Sequence, residues 1–370
     1  MTKNINRIRL VVGISDFRVG GAQKVVSDML GHLNSDEFEV HLVTLFQNES
    51  DATFYSLVPE YINIHKFNFK GFSDYKSWRQ LFKLIKVLKP EVVWTHLYFS
   101  NTLFRVLRPL FMYQVVSVEH NTYVNRSLAQ RLVNTLLAFF TYKIVAVSSF
   151  VAEYTAKHEY ISKKKFLVVH NGVKVNELRE QAMKVNRESI LHSLDLGPGH
   201  KLIINVGQLI FQKNQELLIE AFAIFVQEHP QYKLLILGDG SQRPQLEKSI
   251  ERLGLKNSVL LPGIKKNVAE FMASSDFFVL SSRFEGFPIV AIEALACGIP
   301  IVSTPVSASD IFVHEGKNGY VCKPTVIDLA KTMSKMSDLT KDEYISFKKY
   351  SSALADEYSV QLAVEKYQAL

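Results

Sequence analysis

The sequence predicts an α/β protein of two doubly wound parallel sheets, and three observations lead there. Short apolar runs rich in Val and Ile alternate with longer helical patterns along the chain, as repeated β-α units do when a parallel sheet is buried on both faces. The chain has 370 residues, more than one hydrophobic core usually organises, so two domains of roughly 180 residues are expected. The segment 174–200 lacks a strand pattern and ends in Gly-Pro-Gly-His, which places the boundary inside it, between domains 1–180 and 181–370.

In the first half, strands are expected at 7–15, 39–45, 62–67, 91–96, 114–119, 144–148 and 166–169, with helices filling most gaps. The stretch 7–15, RIRLVVGIS, has the apolarity of a short signal peptide, but no small-residue cleavage site follows and Asp16 interrupts it. A first buried strand is the expectation. Lys76, Arg79, Lys83 and Lys86 follow helical spacing opposite Trp78, Leu81, Phe82, Ile85 and Leu88, the pattern of a helix covering a sheet. In the second half, strands are expected at 202–207, 233–238, 258–261, 277–281 and 301–303. Open parallel sheets bind ligands outside the carboxyl ends of their strands, so informative residues should follow strands directly.

Composition narrows the class. With 47% hydrophobic and 21% charged residues the chain reads as an ordinary globular protein, without the charge excess of disorder. Apolar runs such as 136–140 and 290–295 are far shorter than a membrane span needs. Cys297 and Cys322 are the only cysteines, which excludes a disulfide framework and fits a reducing, cytoplasmic compartment. The 11 histidines form no H-E-x-x-H cluster and no D-x-D follows a strand, so no catalytic metal is expected.

Charge is uneven: residues 1–185 hold 24 Lys and Arg against 15 Asp and Glu, while 186–370 hold 19 against 21. An electropositive first half suggests an anionic partner, and no zinc finger, RNP-like motif or dense basic block supports nucleic acid. A phosphorylated acceptor or a membrane surface remains, beside the plain alternative of a solvated surface. Arg105, Arg108, Arg126 and Arg131 lie on or beside helices with Leu103, Leu107, Phe111, Leu128 and Leu132, and this region is expected to touch a bilayer or a lipid-linked acceptor.

Three stretches carry chemistry. After the first strand, Gly20 and Gly21 open a helix, where two glycines admit close backbone approach and the helix start offers N–H groups to an anion; a tight turn would look the same. The run LIINVGQLIFQK places Gln208 and Lys213 above a sheet edge, suited to a diphosphate, although a lone lysine on a loop is usually solvated. The third, SSRFEGFPIVAIEALACGIP, puts Glu285 on a loop and Glu293 eight residues later on a helix. The two carboxylates can meet one elongated ligand at two points, with the helix N-terminus between them for phosphate. An ordinary surface glutamate does not suit Glu293, because its neighbours Val290, Ala291, Ile292, Ala294, Leu295 and Ala296 are apolar and a carboxylate among them demands a partner. His120 follows the QVVSVE strand; it is either a hydrogen-bonded edge histidine or a functional one.

These residues resemble the retaining glycosyltransferases of family four, which have the GT-B fold. The E-x7-E of Glu285 and Glu293 looks like that family's signature, and Gly20, Gly21 and Ala22 resemble its glycine loop. VEHN at 118–121 resembles its cleft histidine, VVHNGV at 168–173 its interdomain crossing, and GDG at 238–240 and LPG at 261–263 the places where it closes around the base.

The resemblance implies two Rossmann-like domains facing across a cleft, with the last helix able to pack back on the N-terminal domain and a hinge near 171–174. It implies that Glu293 binds ribose and Glu285 the donor sugar. It also implies that the turn from Gly286 through Phe287, Pro288, Ile289 and Val290 binds the donor, the amides of 287–290 holding diphosphate or sugar. Lys213 would neutralise the leaving diphosphate, Gly238, Gly263 and Ile264 would border the base, and His120 would sit beside the reacting carbon. Gln208 stands where the family usually has Arg, which removes a charged fork from the diphosphate site. The implied activity is retaining transfer of a hexose or N-acetylhexosamine to a glycan or lipid-linked glycan, without a cofactor. A uridine donor is favoured over a guanosine one, and the acceptor lies mainly on the N-terminal half. An epimerase-like enzyme and a silent sugar-nucleotide binder are the alternatives. A polysaccharide, lipopolysaccharide or capsule pathway, with possible attachment to the cytoplasmic membrane face, completes the expectation.

Overall fold

Every ladder between the named strands is parallel. The computed structural model describes residues 7–47, 53–123 and 126–370, and the chain divides into one unit of Met1–Gly172 with Val360–Leu370 and another of Val173–Ser359. The first unit holds β1 (Ile8–Ile14), β2 (Phe38–Thr44), β3 (Asn63–Lys66), β4 (Val92–His96), β5 (Gln114–Glu119), β6 (Lys143–Ala146) and β7 (Phe166–Val168). They form one sheet in the order β3-β2-β1-β4-β5-β6-β7. Central strands are apolar on both faces because helices cover both: Leu10, Val11 and Ile14 of β1 are fully buried. One face packs Val11, Val93 and Val115 against Leu81, Ile85, Leu103, Phe104 and Leu107. Helix Tyr75–Leu88 buries Leu81 and Ile85 of the expected stripe and packs Trp78 and Leu88 partly against the core, whereas Phe82 is exposed; Asp74 caps its start by accepting from the Ser77 N–H at 3.2 Å.

The second unit contains β8 (Lys201–Val206), β9 (Tyr232–Leu237), β10 (Val259–Leu260), β11 (Phe277–Leu280), β12 (Ile301–Ser303) and β13 (Gly319–Val321). Their order is β10-β9-β8-β11-β12-β13. Helix Gln215–Glu228 contributes Leu218, Phe222 and Phe225 to a core shared with Ile203, Leu234, Ile236, Phe277 and Val279. The edge strand β13 has no counterpart among the sequence expectations. It is three residues long and begins at a glycine whose missing β-carbon would lie 2.1 Å from the Ile301 carbonyl oxygen, so the contact that makes it a strand is tertiary.

The change of unit falls at Gly172, just ahead of the segment in which a linker was expected. Val173 donates its N–H to the Tyr358 carbonyl at 2.9 Å and pairs with Ser359, which ties it to the second unit. The expected linker is largely helical, as Val175–Lys184 and Arg187–Ser193. Helix Val360–Gln368 belongs to the first unit, where the Tyr367 ring lies 5.3 Å from Trp94.

In each sheet the strand order reverses once, between β1 and β4 and between β8 and β11. Loops after those strands diverge to opposite faces and leave a crevice at the carboxyl edge. The Gly20 loop follows β1, and the Lys213 and Glu285 loops follow β8 and β11.

Candidate functional site

The second unit's switch point is built by two loops joined to each other. The loop after β8 closes in a 3-10 turn, Phe211–Lys213, and the Arg283 N–H donates to the Gln212 carbonyl at 2.8 Å while Ser281 Oγ donates to the Lys213 carbonyl at 3.0 Å. Lys213 Nζ donates to Glu285 Oε1 at 2.6 Å, with the two side chains 19% and 7% exposed. Ser282 Oγ donates to the same oxygen at 2.6 Å, and Gln212 Nε2 reaches Oε2 at 3.3 Å and the Phe284 carbonyl at 3.0 Å. Glu285 is thus a fixed acceptor, oriented by three side chains. In a pair this enclosed, removing either partner strands the other charge, at a cost of about 3–5 kcal/mol.

From Glu285 the chain runs through buried Gly286, Phe287 and Pro288 into helix Ile289–Ala296. The first-turn amides of a helix have no intrahelical acceptor, which makes this start a donor site for an anion. Glu293 lies in the helix among fully buried Ala291, Ile292, Ala294 and Leu295 and is itself buried, so it is not the solvated surface residue that its position in a helix would allow. Burial, and after it the charge of Glu293, push the Cys297 thiol up to about 12, which places that carboxylate close to an inert cysteine.

The remaining expected residues follow β8, β9 and β10. Gln208 is exposed, and its carbonyl accepts from Gln215 Nε2 at 3.1 Å. Gly238 has φ +143, and a β-carbon there would lie 1.9 Å from the Gly207 carbonyl oxygen, so this loop crosses the neighbouring one only because residue 238 lacks a side chain. The Gly238 N–H donates to the Gly263 carbonyl at 3.0 Å, and Ile264 beyond it is exposed. Sequence reasoning missed Arg243. Its Nε donates to Asp239 Oδ1 at 3.1 Å and its Nη2 to the Leu261 carbonyl at 3.2 Å, bracing the GDG and LPG loops together. The lysine, both glutamates and these glycines all stand at the carboxyl edge of the second sheet.

In the first unit, Gly20 precedes helix Gly21–Leu30 in extended backbone, and Asp16 braces the loop by accepting from Arg18 Nε at 3.1 Å and Gln23 Nε2 at 3.0 Å. His120 has a partner the sequence did not reveal: its Nε2 lies 3.0 Å from His96 Nδ1 at the end of β4. Desolvation brings the His120 pKa down to about 4 and holds that of fully buried His96 well below its usual value, so both rings are neutral at pH 7. Leu97, which follows, has φ 69 and ψ 154, a sparsely populated region that costs about 1–3 kcal/mol and persists only where surroundings enforce it. Parallel register sets His96 opposite Val118, two residues before His120, and that spacing was the available signal.

For two of its four arginines the expected basic patch is corrected here, while Arg108 and Arg131 are half-buried. Arg105 and Arg126 are buried, as are Leu103 and Leu107. Arg126 donates to Glu119 at 3.0 Å and to Glu159, and stacks over the Tyr98 and Tyr123 rings at 5.0 and 4.2 Å. Asn134 Nδ2 donates to Glu159 Oε2 at 2.6 Å and accepts from Arg105, whose Nε donates to the Asn101 carbonyl at 2.7 Å. Burial pulls the Arg126 pKa down, but Glu119 and Glu159 more than offset it, while burial lowers that of Arg105 to about 10. Two cations and two carboxylates neutralise one another inside the unit, so neither arginine can meet a bilayer. Glu119 points into this network while His120 turns to His96, the alternation expected of an extended chain.

Comparison with known proteins agrees with this arrangement. Glycosyl transferases group 1 matches residues 186–352 and Glycosyltransferase Family 4 matches 19–177. Structures superpose over nearly the whole chain: Anabaena HepE in complex with UDP has a TM-score of 0.83 at 18% identity, covering 98% of this chain and 99% of that one. At such identity the likeness speaks for the fold, which is that of the GT-B glycosyltransferases. The Escherichia coli UDP-Gal:alpha-D-GlcNAc-diphosphoundecaprenol alpha-1,3-galactosyltransferase is 24% identical over 84% of this chain and 82% of its own length. A Campylobacter jejuni protein, N-acetylgalactosamine-N,N'-diacetylbacillosaminyl-diphospho-undecaprenol 4-alpha-N-acetylgalactosaminyltransferase, is 35% identical over 39% of this chain and 36% of its own. The class is therefore a sugar-transferring enzyme with the GT-B architecture. Within it, the chain belongs to the family 4, group 1 glycosyltransferases.

Proposed function

We propose that this glycosyltransferase moves a hexose or N-acetylhexosamine from a nucleoside-diphosphate sugar to a hydroxyl of a glycan or lipid-linked glycan, with retention at the anomeric carbon. The observation that carries the proposal is the Lys213–Glu285 pair at the switch point of the second sheet, beside the start of helix Ile289–Ala296. A departing nucleoside diphosphate is an anion, and a fixed ammonium with helix amides stabilises the charge as it develops, without a metal. Glu285, already engaged by three donors, is assigned to hydroxyls of the donor sugar and not to nucleophilic attack. Glu293 is assigned to the ribose, the turn 286–290 and Gln208 to the diphosphate, and Gly238, Gly263 and Ile264 to the edge of the base.

A uridine nucleotide is favoured because the HepE structures hold UDP and UDP-glucose and the E. coli relative is named for UDP-Gal. Both named relatives act on diphospho-undecaprenol acceptors, which supports a lipid-linked acceptor and work at a membrane face. On the acceptor side, the Gly20–Gly21 loop and His120 of the first unit are assigned to the reaction. His120 is neutral there, so it serves as a hydrogen-bonding group and not as a cation.

The test is a panel of labelled donors, followed by release of nucleoside diphosphate with and without a lipid-linked acceptor. Acceptor-dependent release with an α-linked product from an α-linked donor is expected. Donor conversion without any acceptor, or binding with no release, would overturn the assignment.

A further inference from the structure

We propose that the outer face of helices Tyr98–Phe111 and Leu128–Leu137, together with the turn Ala138–Phe140, seats on an anionic lipid bilayer. Leu128, Leu132 and Leu136 recur every four residues and are 78%, 61% and 63% exposed, with Phe139 beyond them at 78%. A water-soluble helix normally turns such a stripe inward. Here Asn134, Leu137 and Ala138 hold the inward positions, and Asn134 takes part in the buried arginine network. The leucines cannot rotate into the core without breaking it. The bond from Arg105 to Asn134 sets the two helices side by side, and the first adds Leu110, with Met112 at its end, at 65% and 70% exposure. Exposed apolar side chains gathered on two adjacent helices mark an interaction site.

Charge decides the occupant. From Val92 to Ala152 the chain contains one acidic residue, Glu119, and it is buried against Arg126. Neither helix therefore presents an acid, and Glu91, which lies beside Met112, is paired with Arg9 at 2.8 Å. Lysines border its far end: Lys165 Nζ donates to the Thr141 carbonyl at 2.7 Å and Lys143 Nζ to the Lys164 carbonyl at 3.4 Å, beside the Phe139–Phe140 turn. Lys163 faces Glu153 at 3.9 Å and is not counted. Leucine and phenylalanine flanked by lysine, with no acid on either helix, is what an interfacial helix on anionic headgroups requires. A second copy seated on the same face would bring lysine rim against lysine rim. The proposal deepens the reading of a lipid-linked acceptor by naming the surface that meets its membrane, and it replaces the buried arginines with an exposed leucine stripe.

The test is flotation of the full-length chain with vesicles of phosphatidylcholine alone and of phosphatidylcholine with phosphatidylglycerol. Wild type should float with the anionic vesicles and less so at high salt. Leu132→Glu/Leu136→Glu should bind them at least about tenfold more weakly. Lys143→Gln/Lys164→Gln/Lys165→Gln should lose the preference for phosphatidylglycerol, and Ile327→Glu, an exposed site in the second unit, should behave as wild type. Thermal melting checks that the double variant is folded, and Phe139→Ser provides a second variant outside the helix. The proposal is overturned if wild type fails to float, if the leucine variant floats equally well, or if sedimentation velocity shows that this face instead joins two copies. Release of nucleoside diphosphate in detergent with a short-chain acceptor should persist in the leucine variant. Its absence from wild type would sink the transferase mechanism and leave the flotation result standing.

Discussion

The two units place charge in opposite ways. In the second, Lys213 and Glu285 are held on loops at the open carboxyl edge of the sheet, positioned by Ser282 and Gln212. In the first, Arg105, Arg126, Glu119 and Glu159 are sealed under two helices, and the histidines at the edge are neutral. The second arrangement keeps a cation available for a phosphate, whereas the first spends its ionic groups on shape. Counting arginines in a sequence does not separate these uses, because the desolvation that distinguishes them is set by neighbours far along the chain.

That contrast is broken most directly by Arg126→Met. It should destabilise the chain by about 3–5 kcal/mol through the carboxylates left unpaired, read by urea denaturation. If the charges of the first unit are structural, affinity for uridine diphosphate should remain within about twofold, and a large loss of affinity with normal stability would overturn the distinction. On the other side, Lys213→Ala should lower kcat by about 10²–10³-fold, the range seen when one stabilising group is removed from a developing anion, in addition to the stability lost by stranding Glu285. Glu285→Gln and the double variant should show strong non-additivity, because the two side chains act as one unit. Additive losses would indicate that they work apart. Glu293→Ala should weaken nucleotide binding by about tenfold or more in calorimetry, the worth of a charge-assisted hydrogen bond.

Acid sharpens the comparison further. A histidine whose folded pKa is depressed binds protons more readily when unfolded, so its stabilising effect is complete above about 6.5 and declines as pH falls toward about 4. The span corresponds to roughly 3 kcal/mol for His120. Denaturation midpoints measured over that window should fall with pH, and His120→Gln should flatten the slope. An unchanged slope would show that His120 ionises freely. The smallest effect is expected from Gln208→Arg. A guanidinium beside the diphosphate should tighten uridine diphosphate binding by about three- to tenfold, and no change would place residue 208 away from the phosphates.

Much of the donor side was legible because its residues are contiguous or follow strands with strong periodicity: Glu285 and Glu293 lie within nine residues of each other, and Lys213 follows β8 after a short loop. The acceptor side was read less well. His120 was identified from its place after a strand, but His96 is 24 residues away and meets it only because β4 and β5 are parallel neighbours. Arg105 and Arg126 were misread for the same reason, since their partners Asn134 and Glu159 are 29 and 33 residues distant. Arg243 braces two loops through a carbonyl at Leu261, and no side-chain pattern encodes a bond to a backbone oxygen.

Hydrophobic periodicity and the positions of glycine act over a few residues, so the sequence by itself determined the α/β class, twelve of the strands and the E-x7-E turn with its helix. Tertiary structure alone decided which strands adjoin, that β13 exists, which arginines are sealed from water and which leucines face it. Burial depends on chain segments brought together across the sheet, and the free energy of a charge or a leucine depends on burial more than on identity.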